Sequence, residues 1–405
     1  MRKRLLIIIT NLGRGGAQQV FRQQMKWLAS EFDVYGCVFN WDGAFPEDHL
    51  ENIFSLDVPA GKSIIGKIRF FMLRILRLRA IKQSNKIDVS ISHLEGADYI
   101  NILSRASKTI CWIHGTKRHD ENIIGWLGVL RMKALIPILY KRANRIVTVS
   151  QGISSELSGI NKYLGSRIAT IYNGFDVNQI ITLSNNPLEI QFSEIFNHPT
   201  VMITHCRLSR QKNLTALLTI FSELKKIKAS RLVILGDGEL RDELISYARN
   251  LNIKTWSCGE RQPIDYHEEI FFLGNQTNPF NFLRKASLYV MTSSWEGFPL
   301  ALCEAMACGL PVIATDCFTG PREIIAPELG DKQPIKRSHR THKGILMPLV
   351  DASDNDEVHL WTEELIWILA GEYSSLFNRE ISMNRIKDFR LSESIDQTIK
   401  LINDL

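Results

Sequence analysis

The sequence has no long hydrophobic run, no Cys-x-x-Cys pair, no low-complexity tract and no short internal repeat. Its longest apolar stretches, such as Leu5–Ile9, fall far short of the roughly 20 residues that span a bilayer, which argues against an integral membrane protein. The seven cysteines stand apart at 37, 111, 206, 258, 303, 308 and 317. That scatter fits reduced, packed thiols and argues against a disulfide framework or a structural zinc. Met1-Arg2-Lys3-Arg4 ahead of Leu5–Ile9 superficially resembles a signal peptide. The apolar stretch is too short, however, no small-residue cleavage site follows, and a glycine turn comes next. A first buried strand and a cytosolic protein are expected.

What is present is the balance of a soluble globular chain, 45% hydrophobic and 23% charged over 405 residues, long enough for two domains. The net charge of +6 is unevenly divided: residues 1–180 carry 25 Lys+Arg against 14 Asp+Glu, the remainder 24 against 29. The first half is therefore expected to meet something anionic. Strand patterns at 5–9, 34–40, 88–92, 109–113, 145–149 and 168–172 alternate with helical ones at 17–30, 64–84, 122–143 and 152–158. Proline, asparagine and serine interrupt the pattern over 184–199, and the alternation restarts. Strands follow at 200–205, 231–235, 270–273, 288–291 and 312–315, with helices near 213–228, 238–251, 279–286 and 299–308. A last helical stretch covers 357–405. Such interleaving predicts α/β architecture, two doubly wound parallel sheets with ligands at the carboxyl ends of their strands.

Four segments carry chemistry. In Ser293–Ile313 a strand end, a Gly297-Phe298-Pro299 turn and a helix starting near Leu300 precede a Gly309 stop, with Pro299 suited to the first helical turn. The turn offers unpaired backbone N–H groups and a positive helix end to a diphosphate or a polar sugar. Glu296 precedes it and Glu304 follows eight positions later; alone, the two acids read more readily as a cap and a surface or core-edge residue. In Thr204–Leu214, Arg207 and Lys212 follow a strand end. Cleaving a sugar–diphosphate bond builds negative charge on the leaving group, which fixed cations stabilise, although two solvated charges beside a helix start are the plainer alternative. The turn Asn11–Ala17, with Gly13, Gly15 and Gly16, permits close approach to a helix start, as in many dinucleotide-binding enzymes, yet its spacing is not Gly-x-Gly-x-x-Gly. His114 ends the strand 109–113 and His93 another, a position where histidine is usually structural.

Together these segments resemble glycosyltransferase family 4 over nearly the whole chain. Glu296 and Glu304 match its E-x7-E motif, and Arg207-Leu208 with Lys212-Asn213 match its G-R-L-x-x-x-K-N pattern, Cys206 replacing the glycine. Gly15 and Gly16 look like its amino-terminal Gly-Gly loop, and Asn173-Gly174-Phe175-Asp176 resembles its Asn-Gly-x-Asp. The resemblance implies a GT-B fold of two Rossmann-like domains facing across a cleft. An acceptor domain would span 1–190 and a nucleotide-sugar domain 200–380, with C-terminal helices, 381–405, crossing back. It implies a retaining, metal-independent transfer of a hexose or N-acetylhexosamine from a nucleotide diphosphate sugar, with UDP preferred, and no cofactor. Glu296 would contact the donor sugar, Glu304 the ribose, Arg207 and Lys212 the diphosphate, and His114 the sugar near the reacting carbon. Gly15, Gly16, Gly297, Phe298, Pro299 and Leu300 would line the donor site. Thr319 and Gly320, past a further strand end, would complete it, with Arg322 adding to the pocket.

Lys62–Lys86 holds eight basic residues and no acid. Ile64, Ile68, Phe71, Met72 and Ile75 share one side of a helical wheel, with Lys67, Arg74 and Arg77 opposite. That make-up fits a helix lying on anionic lipid at the inner face of the cytoplasmic membrane, or an ordinary scaffold helix. A membrane contact suits a lipid-linked or oligosaccharide acceptor of surface-polysaccharide synthesis. The segments 255–269 and 327–343 run long; the basic loop 336–343 reads as solvated rather than as a metal or nucleic-acid site. A sugar-nucleotide epimerase and a non-catalytic nucleotide-sugar scaffold remain as alternatives. An NAD-dependent oxidoreductase leaves the Glu pair unexplained.

Overall fold

The computed structural model describes residues 2–13, 15–41, 52–59, 61–117, 126–259, 263–330 and 333–405. Arg14 of the glycine turn, residues 122–125 of the helix expected at 122–143, and 260–262 and 331–332 of the two long segments lie outside them. The chain divides into two compact units, Met1–Gly174 with Leu391–Leu405, and Phe175–Arg390.

In the first unit the strands are β1 (Arg4–Ile9), β2 (Asp33–Val38), β3 (Ile53–Ser55), β4 (Val89–His93), β5 (Lys108–Ile113), β6 (Arg145–Thr148) and β7 (Ile168–Thr170). They form one parallel sheet in the order β3-β2-β1-β4-β5-β6-β7. β1 is buried from Leu5 to Ile9, which explains why it reads as a continuous apolar run instead of an alternating one. Helices α1 (Gly16–Trp27), α2 (Ile64–Ser84), α3 (Glu95–Ser104), α4 (Trp126–Leu130), α5 (Ile136–Tyr140) and α6 (Gln151–Ile160) connect the strands. A π-helical turn at Arg131–Leu135 joins α4 to α5.

The second unit has β8 (Val201–His205), β9 (Arg231–Leu235), β10 (Thr255–Ser257), β11 (Ile270–Gly274), β12 (Leu288–Met291), β13 (Val312–Thr315), β14 (His339–Arg340) and β15 (Ile345–Met347). Their order is β10-β11-β9-β8-β12-β13-β15-β14, parallel throughout except that β14 runs against β15. Its helices are α7 (Val177–Ser184), α8 (Ile190–Ser193), α9 (Leu214–Leu224), α10 (Arg241–Asn250), α11 (Phe280–Lys285), α12 (Leu300–Ala307), α13 (Pro321–Ile325), α14 (Asn355–Leu369) and α15 (Arg379–Ile386). α16 (Leu391–Asn403) belongs to the first unit, where Lys3 Nζ donates to the carbonyls of Ile402 (3.0 Å) and Asn403 (3.3 Å) at its end.

The division thus falls at 174/175 and 390/391, not near 190–200 and 380. α7 packs on α11, Asn278 Nδ2 donates to the Leu183 carbonyl (2.8 Å), and Phe175 N donates to the Phe389 carbonyl (2.9 Å). These contacts bind 175–184 into the second unit, whereas the proline- and asparagine-rich 184–199 lies inside it. The strands β3, β10, β14 and β15 were not expected; each is only two or three residues long, too short for a periodic signal. The stretch 357–405 is broken into α14, α15 and α16.

α2 corrects the expected helical wheel. Ile75 is buried and Phe71 half-buried, while Ile64, Ile65 (80% exposed), Ile68, Met72 and Leu76 face outward. Arg74 and Arg77 are not a free basic face: Arg74 donates to the Val58 carbonyl (2.8 Å) and Arg77 to those of Leu56 (2.5 Å) and Asp57 (2.6 Å). Lys62, Lys67, Arg69, Arg77, Arg79 and Lys86 are the exposed cations of this segment, Arg77 while bonded as above. Among the described residues no helix is long and apolar enough to cross a membrane.

Candidate active site

In the second unit the sheet order reverses between β8 and β12, and the crevice beyond the carboxyl ends of two such strands is where ligands bind in open α/β sheets. The residues after β8 and β12 are laced together there. Arg210–Lys212 form a 3₁₀ turn, and Asn213 takes the left-handed conformation (φ 50°, ψ 43°) that reverses the chain into α9. Asparagine tolerates that geometry better than most residues, which gives the Lys-Asn pair a physical reason. Thr292, following β12, donates through Oγ1 to the carbonyls of Lys212 (3.2 Å) and Asn213 (3.1 Å). Ser294 N donates to the Gln211 carbonyl (2.9 Å), and Gln211 Nε2 returns to that of Trp295 (2.8 Å).

This lacing brings Lys212 to Glu296. Lys212 Nζ lies 2.6 Å from Glu296 Oε1, which also accepts from Ser293 Oγ (2.7 Å), while Gln211 Nε2 reaches Oε2 (3.3 Å). Glu296 is 5% exposed. Burial by itself pushes the Lys212 ammonium down, but the Glu296 carboxylate beside it more than reverses this, and the net shift is upward. Lys212 therefore keeps its charge at neutral pH.

Beyond the pair, Gly297 to Pro299 lead into α12. Pro299 is the residue before the helix rather than in its first turn, and no side chain caps the helix. The first-turn N–H groups of Leu300, Ala301 and Leu302 therefore have no intrahelical acceptor. The Phe298 ring is buried against Phe389 (centroids 5.0 Å apart) and Phe175 (6.4 Å), so what it can offer a ligand is its backbone. Thr319 Oγ1 donates to the Glu296 carbonyl, and Gly320, at φ 92°, sits so close that a Cβ would stand 2.5 Å from Pro299 Cδ. Thr319 and Gly320 thus shape the turn from behind. At the far end of α12, Gly309 (φ 73°) closes the helix, its N–H on the Met306 carbonyl (2.9 Å) and that of Leu310 on Ala305 (3.1 Å).

Glu304, also buried, projects from α12 toward β8, with Oε2 3.6 Å from His205 Nδ1. That nitrogen is buried, without a hydrogen-bond partner among the described residues. His205 was not singled out from the sequence, since nothing in the pattern marks which strand-end side chain turns toward α12. Arg207 does not join the Lys212–Glu296 pair. It is 66% exposed and bonded to Glu239 (3.0 Å), a second residue the sequence did not flag. The loop that carries Arg207 is fixed by the Gly236–Gly238 segment after β9: Leu208 N donates to the Asp237 carbonyl (3.0 Å), and a Cβ on Gly236 would lie 1.9 Å from the Cys206 carbonyl oxygen. Arg322, expected to add to the pocket, is instead bound to the Asp316 carboxylate and to the carbonyls of Gly330 (3.1 Å) and Gln333 (3.1 Å). It closes its own loop. In the basic segment 336–343, Arg340 pairs with Glu364 (2.6 Å) and stacks on Trp367, and Lys343 faces Glu328 (3.5 Å).

In the first unit the order reverses between β1 and β4. Gly15 and Gly16 start α1, again with no side-chain cap, and Asn11 Oδ1 holds the turn by accepting from Gly13 N (3.1 Å) and Gln18 Nε2 (2.9 Å). His114, just past β5, is half-buried, with Nε2 2.7 Å from His93 Nδ1. His93 is wholly buried, as a structural strand-end histidine would be. Burial pushes both imidazoles below their ordinary range, His114 to about 3, with Lys117 adding to the effect at His114. Among the described residues no group of three or more His, Cys, Asp or Glu is placed to hold a metal ion.

Comparison with known proteins identifies the family and the fold. The family model described as Glycosyltransferase Family 4 matches residues 14–179, and that described as Glycosyl transferases group 1 matches 185–331. An uncharacterised glycosyltransferase of Methanocaldococcus jannaschii is 31% identical over 67% of this chain and 66% of its own length. A Campylobacter jejuni 4-alpha-N-acetylgalactosaminyltransferase acting on a diphospho-undecaprenol-linked sugar is 27% identical over 80% of this chain and 84% of its own. Among solved structures, an Anabaena protein in complex with UDP-glucose superposes with a TM-score of 0.73 at 17% identity, covering 99% of this chain and 100% of the other. The chain belongs to the family 4 and group 1 glycosyltransferases and has their GT-B fold of two Rossmann-like units.

Proposed function

We propose that this glycosyltransferase moves a hexose or N-acetylhexosamine from a UDP-sugar, with retention of anomeric configuration, to a lipid-linked or saccharide acceptor in bacterial surface-polysaccharide synthesis. The observation that carries the proposal is the Lys212–Glu296 pair, its carboxylate buried and its ammonium half-buried, set before the uncapped start of α12. An arriving diphosphate meets Lys212 and the first-turn N–H groups, and Glu296, its partner cation now shared, turns its free carboxylate capacity to the sugar hydroxyls. Glu304, beside His205, accepts from the ribose hydroxyls. Arg207 exchanges its exposed partner Glu239 for phosphate oxygen, an inexpensive step because exposed ion pairs contribute little. His114 takes the contact with the donor sugar. As the glycosidic bond to the diphosphate breaks, the leaving oxygen gains negative charge, which these fixed cations and dipoles stabilise without a metal, and the leaving phosphate assists removal of the acceptor proton. The acceptor class is supported by the lipid-linked substrate of the Campylobacter relative. It is supported too by the exposed apolar residues of α2, set among Lys67, Arg69 and Arg79, which suit an anionic lipid surface.

The test is incubation of the full chain with a panel of UDP-sugars and short polyprenyl-diphosphate glycans, products being read by mass spectrometry and the new linkage by NMR. An α-linked product from an α-linked donor is expected. An inverted linkage would remove the retaining mechanism. A free epimer formed without acceptor, or donor binding with no transfer to any acceptor, would replace the transferase reading by the epimerase or the scaffold.

A further inference from the structure

The first unit contains a chain of three polar side chains, Gln24, His93 and His114, of which the first two are buried and the last half-buried. Gln24, on α1, is 2% exposed and turns its carbonyl Oε1 toward His93 Nε2 at 3.0 Å. His93 is the last residue of β4, fully buried, with Trp112 of β5 at 5.9 Å and Phe21 of α1 edge-on at 6.2 Å between ring centroids. Its other nitrogen, Nδ1, is 2.7 Å from Nε2 of His114. Nδ1 of His114 has no hydrogen-bond partner among the described residues.

The donor and acceptor roles along this chain are forced once one end is known. A carbonyl oxygen only accepts, so His93 Nε2 carries a hydrogen. A neutral imidazole carries one, so His93 Nδ1 is a lone pair and accepts from Nε2–H of His114. Nδ1 of His114 is then also a lone pair. Protonating His93 would oblige His114 to give up its Nε2 hydrogen and carry one on Nδ1 instead, and among the described residues no carboxylate acts on either ring: the charged group acting on His114 is Lys117, and the neighbours of His93 are aromatic or neutral. Burial keeps both rings uncharged, with Lys117 adding to this at His114, and the hydrogen bond from Gln24 onward fixes which nitrogen carries the hydrogen.

We propose that Gln24 and His93 are positioning residues which hold His114 as the neutral imidazole protonated on Nε2, so that Nδ1 is presented as a fixed hydrogen-bond acceptor for a hydroxyl of the bound sugar. The identity of the ligand rests on the proposed function; the relay itself does not. Its consequence is selectivity by polarity. The site takes a hydroxyl that donates and disfavours a carboxylate or a carbonyl, which would meet a lone pair. An isolated strand-end histidine would sample both tautomers and lose part of its population to the wrong one.

The relay is read directly from nitrogen-15 spectra of the full chain carrying labelled histidine. Nδ1 of His114 is expected as an unprotonated, acceptor-type nitrogen and Nε2 as N–H, unchanged between pH 5.5 and 8. In His93→Phe the His114 signals should move to a tautomer average, and transfer should fall about tenfold, the worth of one neutral hydrogen bond, mainly in kcat. His93→Asn, which retains an amide carbonyl to accept from His114, should recover most of that loss. A wild-type spectrum with the proton on Nδ1 of His114, which would mean a Gln24 amide turned the other way, overturns the relay. So does equal transfer by His93→Phe and wild type where His114→Ala is impaired. Since the wild-type spectrum needs no variant, a poorly folding His93→Phe leaves the inference decidable. Failure of the proposed function differs: His114→Ala would transfer normally while the wild-type spectrum still upheld the tautomer.

Discussion

Lys212 and Glu296 show how one pair serves both folding and chemistry, and the two roles separate under mutation. Removing Lys212 alone strands a buried carboxylate, which costs about 3–5 kcal/mol, whereas removing both charges leaves neither unpaired. Lys212→Met should therefore destabilise strongly, the double variant with Glu296→Gln should recover most of that stability, and neither should recover activity. The expected loss of kcat is about 10²–10³-fold, by analogy with other fixed groups that stabilise developing charge. Urea unfolding and initial transfer rates check this; a double variant that is both stable and active would separate the pair from catalysis. A second residue, Glu95 at the start of α3, is held by Lys117 (2.9 Å), Arg131 and Tyr99. Burial raises its carboxyl, but Lys117 and the Arg131 and Tyr99 hydrogen bonds outweigh this and lower it to about 2 from 4.5. Because the folded value is depressed, the stabilisation is present above about 4.5 and lost as pH falls toward 2. Glu95→Gln should thus be less stable than wild type at pH 7, by up to about 3 kcal/mol, with the gap closing over that window in chemical denaturation at successive pH values.

At the scale of elements, α2 has two populations of side chain that helical periodicity cannot separate. Ile75 and Leu78 pack into the core with Ile87 and Val58, while Ile64, Ile65, Ile68, Met72 and Leu76 remain outside, and Ser63 caps the start by accepting from Gly66 N (3.0 Å). Replacing Ile64, Ile65 and Met72 together by serine should leave the melting temperature unchanged, since these groups bury little on folding. Binding to vesicles of phosphatidylcholine with phosphatidylglycerol should drop by about tenfold or more, because each buried apolar side chain contributes about 1.5–3 kcal/mol. Binding should also weaken with salt, through Lys62, Lys67, Arg69 and Arg79. Equal sedimentation of both proteins with vesicles would return α2 to a scaffold role. α12 is the better-marked element: its proline at the start, its glycine stop at Gly309 and its acids at 296 and 304 were all legible. That no side chain caps it is a property of the Gly-Phe-Pro turn as folded.

For the whole molecule, a ligand that binds the folded chain adds to its stability by mass action. UDP at 100 times its dissociation constant should stabilise the protein by about 2.7 kcal/mol in thermal unfolding, and Glu304→Ala or Lys212→Met should need much more UDP for the same shift. Hydrogen exchange should place the protection in the second unit, at 206–212, 296–304 and 316–320. Protection confined to the first unit would reassign the donor site. The division into units was itself only half legible. Strand and helix alternation predicted two doubly wound sheets, yet the proline- and asparagine-rich 184–199, which looks like a linker, lies within the second unit, and 391–405 returns to the first.

Local chemistry, then, is what the amino-acid order determined: which runs become buried strands, where glycine and proline punctuate them, and which acids and cations follow strand ends. These depend on neighbours a few residues apart, and their spacing also carried the family resemblance. Pairings across long sequence separations were decided only by the tertiary structure. Lys212 meets Glu296 because β8 lies beside β12, Arg207 is taken by Glu239, and His93 stands behind His114 because β4 lies beside β5. A charge or an imidazole has the same letter whether it is exposed, paired or buried, and only sheet order and side-chain direction settle which.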